Sequence, residues 1–578
     1  MTATIAKRET GTIAAARSFG DEFQLFLYAL VVLAIAFFVI LPVVLLVLYS
    51  FSVGGPGEAF RIGLSGWANA FDSPVLMRSI RNSVELLIAT QMVAFPIAIS
   101  IAWLIARTDL PGRGWIEFSF WISFFMPTLA VMLGWILCLD SGYGLFNKLA
   151  AQLPYVDRGP FDINTFWGIV WVHVASHGIS VKIMLLTPIF RNLDSALDEA
   201  ARMSGASRLT TMARIVVPVC APALLAIILM SMIRAMQSFE IELVLGAPFQ
   251  FYVYSTQVYS LIAQEPPNYA SASALATIGL AIITPLIFLQ RWVSLRRQYT
   301  TVSGKMRTDL VRLGRWKWLA VAIMGLVVAL LTVMPLVFVV LASTMKLFGF
   351  FDIPEPWTLE HWSVILGDVA FRRALGNTIL MSLGAAVVSV TMLSLVAYFS
   401  VRTKYRGRAL LDFASWLPFA VPGLLFGLGL LYVFLELPFF RPLYGTIWLM
   451  VIATVVTHMT MGTQIVKSGL LQLSHDLEEA AMVSGATWSK TLLRVVIPLM
   501  GPTLVLVGVM AFITSARDVA SVALVAAAGT KTLSLMQLDY MVQGRYGPAA
   551  VVSLIVVALS TGVALAARLL GVGLGAKH

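Results

Sequence analysis

Residues 199–205 read EAARMSG, and residues 479–485, 280 positions later, read EAAMVSG. Both copies sit between long apolar runs in a chain of 578 residues that is 59% hydrophobic and 12% charged. A charged, glycine-ended segment that returns in register implies that its surroundings return too. They do: Glu199, Ala200, Ala201, Ser204, Gly205, Ala206, Arg214, Pro218 and Pro222 are matched by Glu479, Ala480, Ala481, Ser484, Gly485, Ala486, Arg494, Pro498 and Pro502. Upstream, Arg78, Asn82, Arg107, Thr108, Gly112 and Arg113 recur as Arg373, Asn377, Arg402, Thr403, Gly407 and Arg408 at a constant offset of 295. The chain is an internal duplication.

A soluble chain of this length carries about a quarter charged residues to wet its surface. Half that share, with a mean hydropathy of +0.88, points to lipid as the main solvent. A crossing helix needs about 20 apolar residues, and twelve candidates begin near residues 24, 82, 115, 165, 215, 270, 317, 375, 410, 444, 495 and 548. The expected fold is an all-α polytopic membrane protein of two six-helix repeats. Six is even, so both repeats enter the bilayer in one sense, related by an axis along the membrane normal. The expected units are 1–295, a basic linker 296–316, and 317–578.

With both termini cytoplasmic, most of the 40 Lys and Arg fall on the inner side, densest over 291–317, as the positive-inside rule demands. That placement accounts for the net charge of +11 without nucleic acid. The run from Gln24 to Ser50 is too long for a signal-peptide core and reads as the first span. Cys138 and Cys220 form no disulfide framework or metal spacing, and the six histidines are scattered. His173, His177 and His458 flank spans, where packing roles are expected. The sequence has no G-x-x-x-x-G-K-[ST] loop, H-E-x-x-H or G-x-S-x-G elbow. Neither a catalytic residue nor a metal site is expected, and the energy for any transport must come from another protein.

On this topology 190–214 and 470–494 are cytoplasmic loops. Acidic residues open a short helix where the dipole favours them, Ala-Ala follows with little bulk, and glycine permits a left-handed turn. Two such projections related by a pseudo-twofold suit a symmetric partner. E-A-A-x-x-x-G, followed about nine residues later by a basic residue and then Pro, resembles the coupling motif of type I ABC importer permeases. The resemblance covers nearly the whole chain. Segments 235–259 and 517–550 look like parts of fused two-half permeases assigned to ferric iron importers; related permeases carry aminoethylphosphonate, thiamine or polyamines.

The resemblance implies a bacterial inner-membrane subunit that moves a solute, ferric iron being the first expectation, by alternating access. It implies no cofactor on this chain, ATP and Mg on a homodimer of cytoplasmic ATP-binding subunits, and a periplasmic solute-binding protein as donor. Glu199, Ala200, Ala201, Gly205, Glu479, Ala480, Ala481 and Gly485 would couple to the ATPase. The rival class is an ion-coupled secondary transporter, against which the twin loops argue.

Charges at membrane depth are expensive and are by default functional. Arg234, Ser238, Glu240 and Glu242 lie near the end of the fifth span, Arg517 and Asp518 at the matching place in the second repeat. They line the expected pathway or lock helices as ion pairs. Arg234 and Ser238, four residues apart, are expected to share a face, whereas the adjacent Arg517 and Asp518 need different partners. Lys182, in the fourth span, is expected to snorkel or to pair structurally.

Overall fold

The computed structural model describes residues 22–154, 159–193, 201, 203–296 and 310–569. Among the described residues are eight helices long and apolar enough to cross a membrane, and four bent pairs that make up to twelve crossings if each pair counts as one. The first half comprises α1 (Glu22–Tyr49), α2 (Pro74–Arg107), the pair α3 (Arg113–Phe125) and α4 (Thr128–Leu139), the pair α5 (Phe166–Gly178) and α6 (Ser180–Arg191), α7 (Arg214–Ala235), the short α8 (Tyr254–Ala263) and α9 (Tyr269–Arg296). The second comprises α10 (Gly314–Thr344), α11 (Val369–Arg402), the pair α12 (Arg408–Ala420) and α13 (Gly423–Glu436), α14 (Ile447–Gln472), the projecting α15 (Asp476–Val483), the pair α16 (Trp488–Leu499) and α17 (Gly501–Ala516), the short α18 (Leu533–Val542) and α19 (Tyr546–Leu569). Counted that way, each of the twelve expected crossings has a counterpart.

Proline sets where these helices deviate. It lacks an N–H and crowds the carbonyl four residues back. Four spans absorb this with a π turn ending two residues before the proline: Ala36–Ile40 before Pro42, Met212–Val216 before Pro218, Ala329–Val333 before Pro335 and Leu492–Val496 before Pro498. Pro127 and Pro422 act more drastically. The residue before a proline is pushed out of the helical region, and Met126 (ψ 132°) and Val421 (ψ 119°) are extended. There α3 turns into α4 by 100° and α12 into α13 by 113°.

The halves interlock by exchanging their first spans. α1 packs on α13 of the second half, and α10 packs on α4 of the first. Both crossings use the same device. A Cβ on Gly429 would lie 2.6 Å from the Pro42 carbonyl oxygen, and one on Gly134 would lie 2.6 Å from that of Pro335. Without side chains there, backbone meets backbone, the packing that replaces the hydrophobic effect between helices in lipid. At the ends facing α15, the Tyr28 hydroxyl donates to the Arg406 carbonyl at 2.7 Å, and Val311 N donates to the Arg107 carbonyl at 2.8 Å. Each half thus begins by docking on the other.

Candidate functional site

The second copy projects as α15, and of the first the structure describes Ala201 and the turn from Met203 onward. Gly485 has φ +85° and Gly205 φ +78°, and a side chain at either would meet nothing within 4 Å, so conformation and not space selects glycine. The same six-residue closure ends both copies: Ala486 N donates to Ala481 O, and Ala206 N to Ala201 O, both at 3.0 Å. Glu199 and Ala200 lie outside the described residues. In the second copy Glu479 and Ala480 are exposed, alongside the apolar Leu477, Met482 and Val483; in the first, Met203 stands 90% exposed where Val483 stands 86% exposed. One large apolar side chain thus stands exposed at the matching position of both copies.

The residue that anchors the projection is Glu478, one place before the repeated Glu-Ala-Ala. Its carboxylate is buried, with Oε1 3.1 Å from Arg402 Nε and Oε2 accepting from the Tyr398 hydroxyl at 2.9 Å. The Trp488 indole donates to that hydroxyl at 3.1 Å, while the Arg402 guanidinium donates to the Leu470 and Leu473 carbonyls at 2.8 and 2.7 Å. The network joins α15 to α11, α14 and α16. In the first half Arg107 donates to the Leu193 carbonyl at 2.7 Å, the counterpart of Arg402 on Leu473. Glu479 only reaches the exposed His475 at 3.2 Å.

Far along α7 and α17 from these projections the two halves meet. The proline breaks leave the last carbonyls of α3 and α12 without helical partners, at the negative end of a helix dipole. Arg517, just past α17, donates across the seam to the Phe124 carbonyl at 2.8 Å; Gln237, just past α7, donates to the Phe419 carbonyl at 2.9 Å. The two contacts are pseudo-twofold mates: Gln237 and Arg517 are 280 residues apart, Phe124 and Phe419 295 apart. Arg517 lies 5.4 Å from the Phe124 ring and Arg234 6.0 Å from that of Phe419. Arg517 is within electrostatic range of Glu240, Arg234 and Asp518. Arg234 itself is exposed.

A second buried cluster lies within the first half. Glu242 is fully buried, with Oε1 2.7 Å from His173 Nε2 and Oε2 accepting from the Ser238 hydroxyl at 2.6 Å.

The sequence matches, twice, the model of the family described as binding-protein-dependent transport system inner membrane component, over residues 94–299 and 390–574. The chain belongs to this family. It is 27% identical to a ferric transport system permease protein of Actinobacillus pleuropneumoniae, over 92% of this chain and 76% of that one. It is also 27% identical to a probable ABC transporter permease protein of Sinorhizobium fredii, over 78% and 80%. A solved bacterial alginate ABC transporter covers 48% of this chain, with 96% of its own, at 19% identity and a TM-score of 0.40. The chain is thus a fused, two-half membrane component of a binding-protein-dependent ABC importer.

Within this permease the structure redistributes some expected residues. α7 ends at Ala235, so Arg234 and Ser238 do not share a face: Arg234 lies over Phe419, and Ser238 turns to Glu242. Arg517 and Asp518 do part, the latter accepting from the Ser521 amide at 3.1 Å and hydroxyl at 2.6 Å. Lys182 does not snorkel. It is buried and donates to the Gly178 carbonyl at 2.7 Å, with the Phe95 ring 5.9 Å away. Sequence reasoning missed Glu478, Gln237 and the Phe124 and Phe419 carbonyls. The signal for the last two was present as Pro127 and Pro422, matched at offset 295.

Proposed function

We propose that the chain carries solute along the seam between its halves and is driven by a pair of identical ATP-hydrolysing subunits bound to the two projections. The carrying observation is the repeated left-handed glycine turn, with one exposed apolar side chain (Met203 and Val483) at the matching position of each copy. Closure of the ATPase pair draws the projections together. The anchor through Glu478 and Arg402 passes that displacement to α11 and α14, and the halves tilt as rigid bodies. The seam contacts at Gln237 and Arg517 then break, and hydrolysis restores them. ATP and Mg are held by the partner subunits, and this chain performs no chemistry of its own.

The excess of basic residues on the projection side supports a cytoplasmic position for both termini. A periplasmic binding protein delivers the solute to the opposite face. The names of the relatives make ferric iron the first cargo to test; aminoethylphosphonate, thiamine and polyamines use the same machinery. Co-purification with an ATP-hydrolysing subunit, and ATP-dependent uptake into vesicles, are the expected results. Reversing Glu199 and Glu479 together to lysine should abolish uptake while leaving the chain folded. Uptake by vesicles that lack any ATPase subunit would establish the ion-coupled rival instead.

A further inference from the structure

A pocket of about 270 Å³ opens on the face opposite the projections, walled by Arg373, Asn377, Lys531, Asp539, Tyr540 and Arg545. Its distance from the coupling end is set by α11: 29 residues separate Arg373 from Arg402, about 44 Å of helix. The wall is fixed. The Asn377 side chain donates to the Gly529 and Lys531 carbonyls, both at 3.0 Å, and Leu533 N donates to the Thr378 hydroxyl at 2.9 Å. Arg545 stands 4.9 Å from the Tyr540 ring. Three cations therefore line the pocket against one carboxylate, and that carboxylate is engaged by Lys531 at 2.6 Å.

The duplication supplies an internal control. In the first half Asn82 donates to the Tyr252 carbonyl and Tyr254 N to the Ser83 hydroxyl, the same two contacts 279 and 295 residues earlier. By that register Arg373 corresponds to Arg78, Lys531 to Tyr252, Asp539 to Ser260 and Arg545 to Pro266. The repeat has one cation where the second half has three. The scaffold does not need the extra charge, because the first half holds the same backbone contacts without it. The pocket also borders the seam: Tyr259 of the first half, packed on Phe239, is within electrostatic range of Asp539 and Lys531.

We infer that this pocket receives a small oxyanion group (phosphonate, phosphate or carboxylate) carried by the cargo at the mouth of the pathway. This rests on the transport reading above and narrows it: a bare ferric cation meets like charge here, so iron enters as an anionic chelate. Focused positive potential raises the local concentration of an anion.

The test uses the full chain in lipid nanodiscs without ATPase subunits, so that it stands or falls separately from the coupling mechanism. Lys531 is acylated with an amine-reactive reagent and followed by mass spectrometry, with the exposed Lys346 as internal reference. Methylphosphonate or inorganic phosphate, at ionic strength matched with sodium chloride, should slow Lys531 and spare Lys346. Arg373→Gln with Arg545→Gln should remove the protection, and Arg373→Lys with Arg545→Lys should retain it, which separates charge from folding. Equal rates with and without the oxyanion overturn the inference. So does protection by the cognate binding protein alone, which would make the pocket a docking socket for an acidic side chain.

Discussion

Two adjacent glutamates on α15 meet opposite fates. Glu478 is buried against Arg402 and Tyr398, and Glu479 is 63% exposed beside His475. Removing one member of a buried ion pair leaves a charge without compensation, a loss of about 3–5 kcal/mol in favourable cases. Glu478→Gln should therefore lower the thermal midpoint of the purified chain and sever ATP hydrolysis from transport. Glu479→Gln should leave the midpoint within a degree or so, since exposed pairs contribute about 0–1 kcal/mol. Combining Arg402→Gln with Glu478→Gln should recover part of the stability. Equal midpoints for both single variants would refute the anchor. The sequence could not rank these two carboxylates, because burial of one is decided by Tyr398 and Arg402, some 80 residues away, and by the direction α15 leaves α14. Gly205 and Gly485 were legible because a left-handed turn demands a residue type. The acceptors at Phe124 and Phe419 were not, because a backbone carbonyl has no residue identity.

Helices carry the duplication more faithfully than side chains do. Twelve crossings, two projections and the matched prolines all follow from spacing, since bilayer thickness fixes helix length and proline fixes where the helix must yield. The sharp turns between α3 and α4 and between α12 and α13 were hidden, because a proline in a span is compatible with a slight kink or a complete break. The glycines opposite Pro42 and Pro335 were hidden for another reason: neither Gly134 nor Gly429 belongs to a motif, and their partners lie in the other half. They now give a paired prediction. Gly134→Ala and Gly429→Ala each place a methyl group 2.6 Å from a carbonyl oxygen, and overpacking of this kind costs about 1–3 kcal/mol. Both should lower the yield of folded chain and its thermal midpoint. Gly325→Ala, in α10 where a Cβ would meet nothing within 4 Å, should do neither. Indifference of both tight positions would disprove the exchanged first spans.

At the scale of the molecule, two matched halves are closed by two unmatched donors. A hydrogen bond from a charged donor contributes about 1.5–3 kcal/mol and a neutral one about 1 kcal/mol. Arg517 on the Phe124 carbonyl therefore holds the seam more firmly than Gln237 on the Phe419 carbonyl. In the proposed mechanism, opening has to overcome both, against this asymmetry. Arg517→Leu leaves one broken helix without its cross-half donor, so the ratio of open to closed transporter should rise roughly ten-fold or more; Gln237→Leu should raise it about five-fold. If opening is coupled to closure of the ATPase pair, the same ratios appear in ATP hydrolysis by the assembled complex in nanodiscs without binding protein. Exchanging the residues (Gln237→Arg with Arg517→Gln) keeps one charged and one neutral donor and should return hydrolysis close to its original rate. An Arg517→Leu complex that assembles and hydrolyses ATP no faster than the parent would mean that the seam is held elsewhere, and that these carbonyls are capped for the stability of α3 and α12 alone.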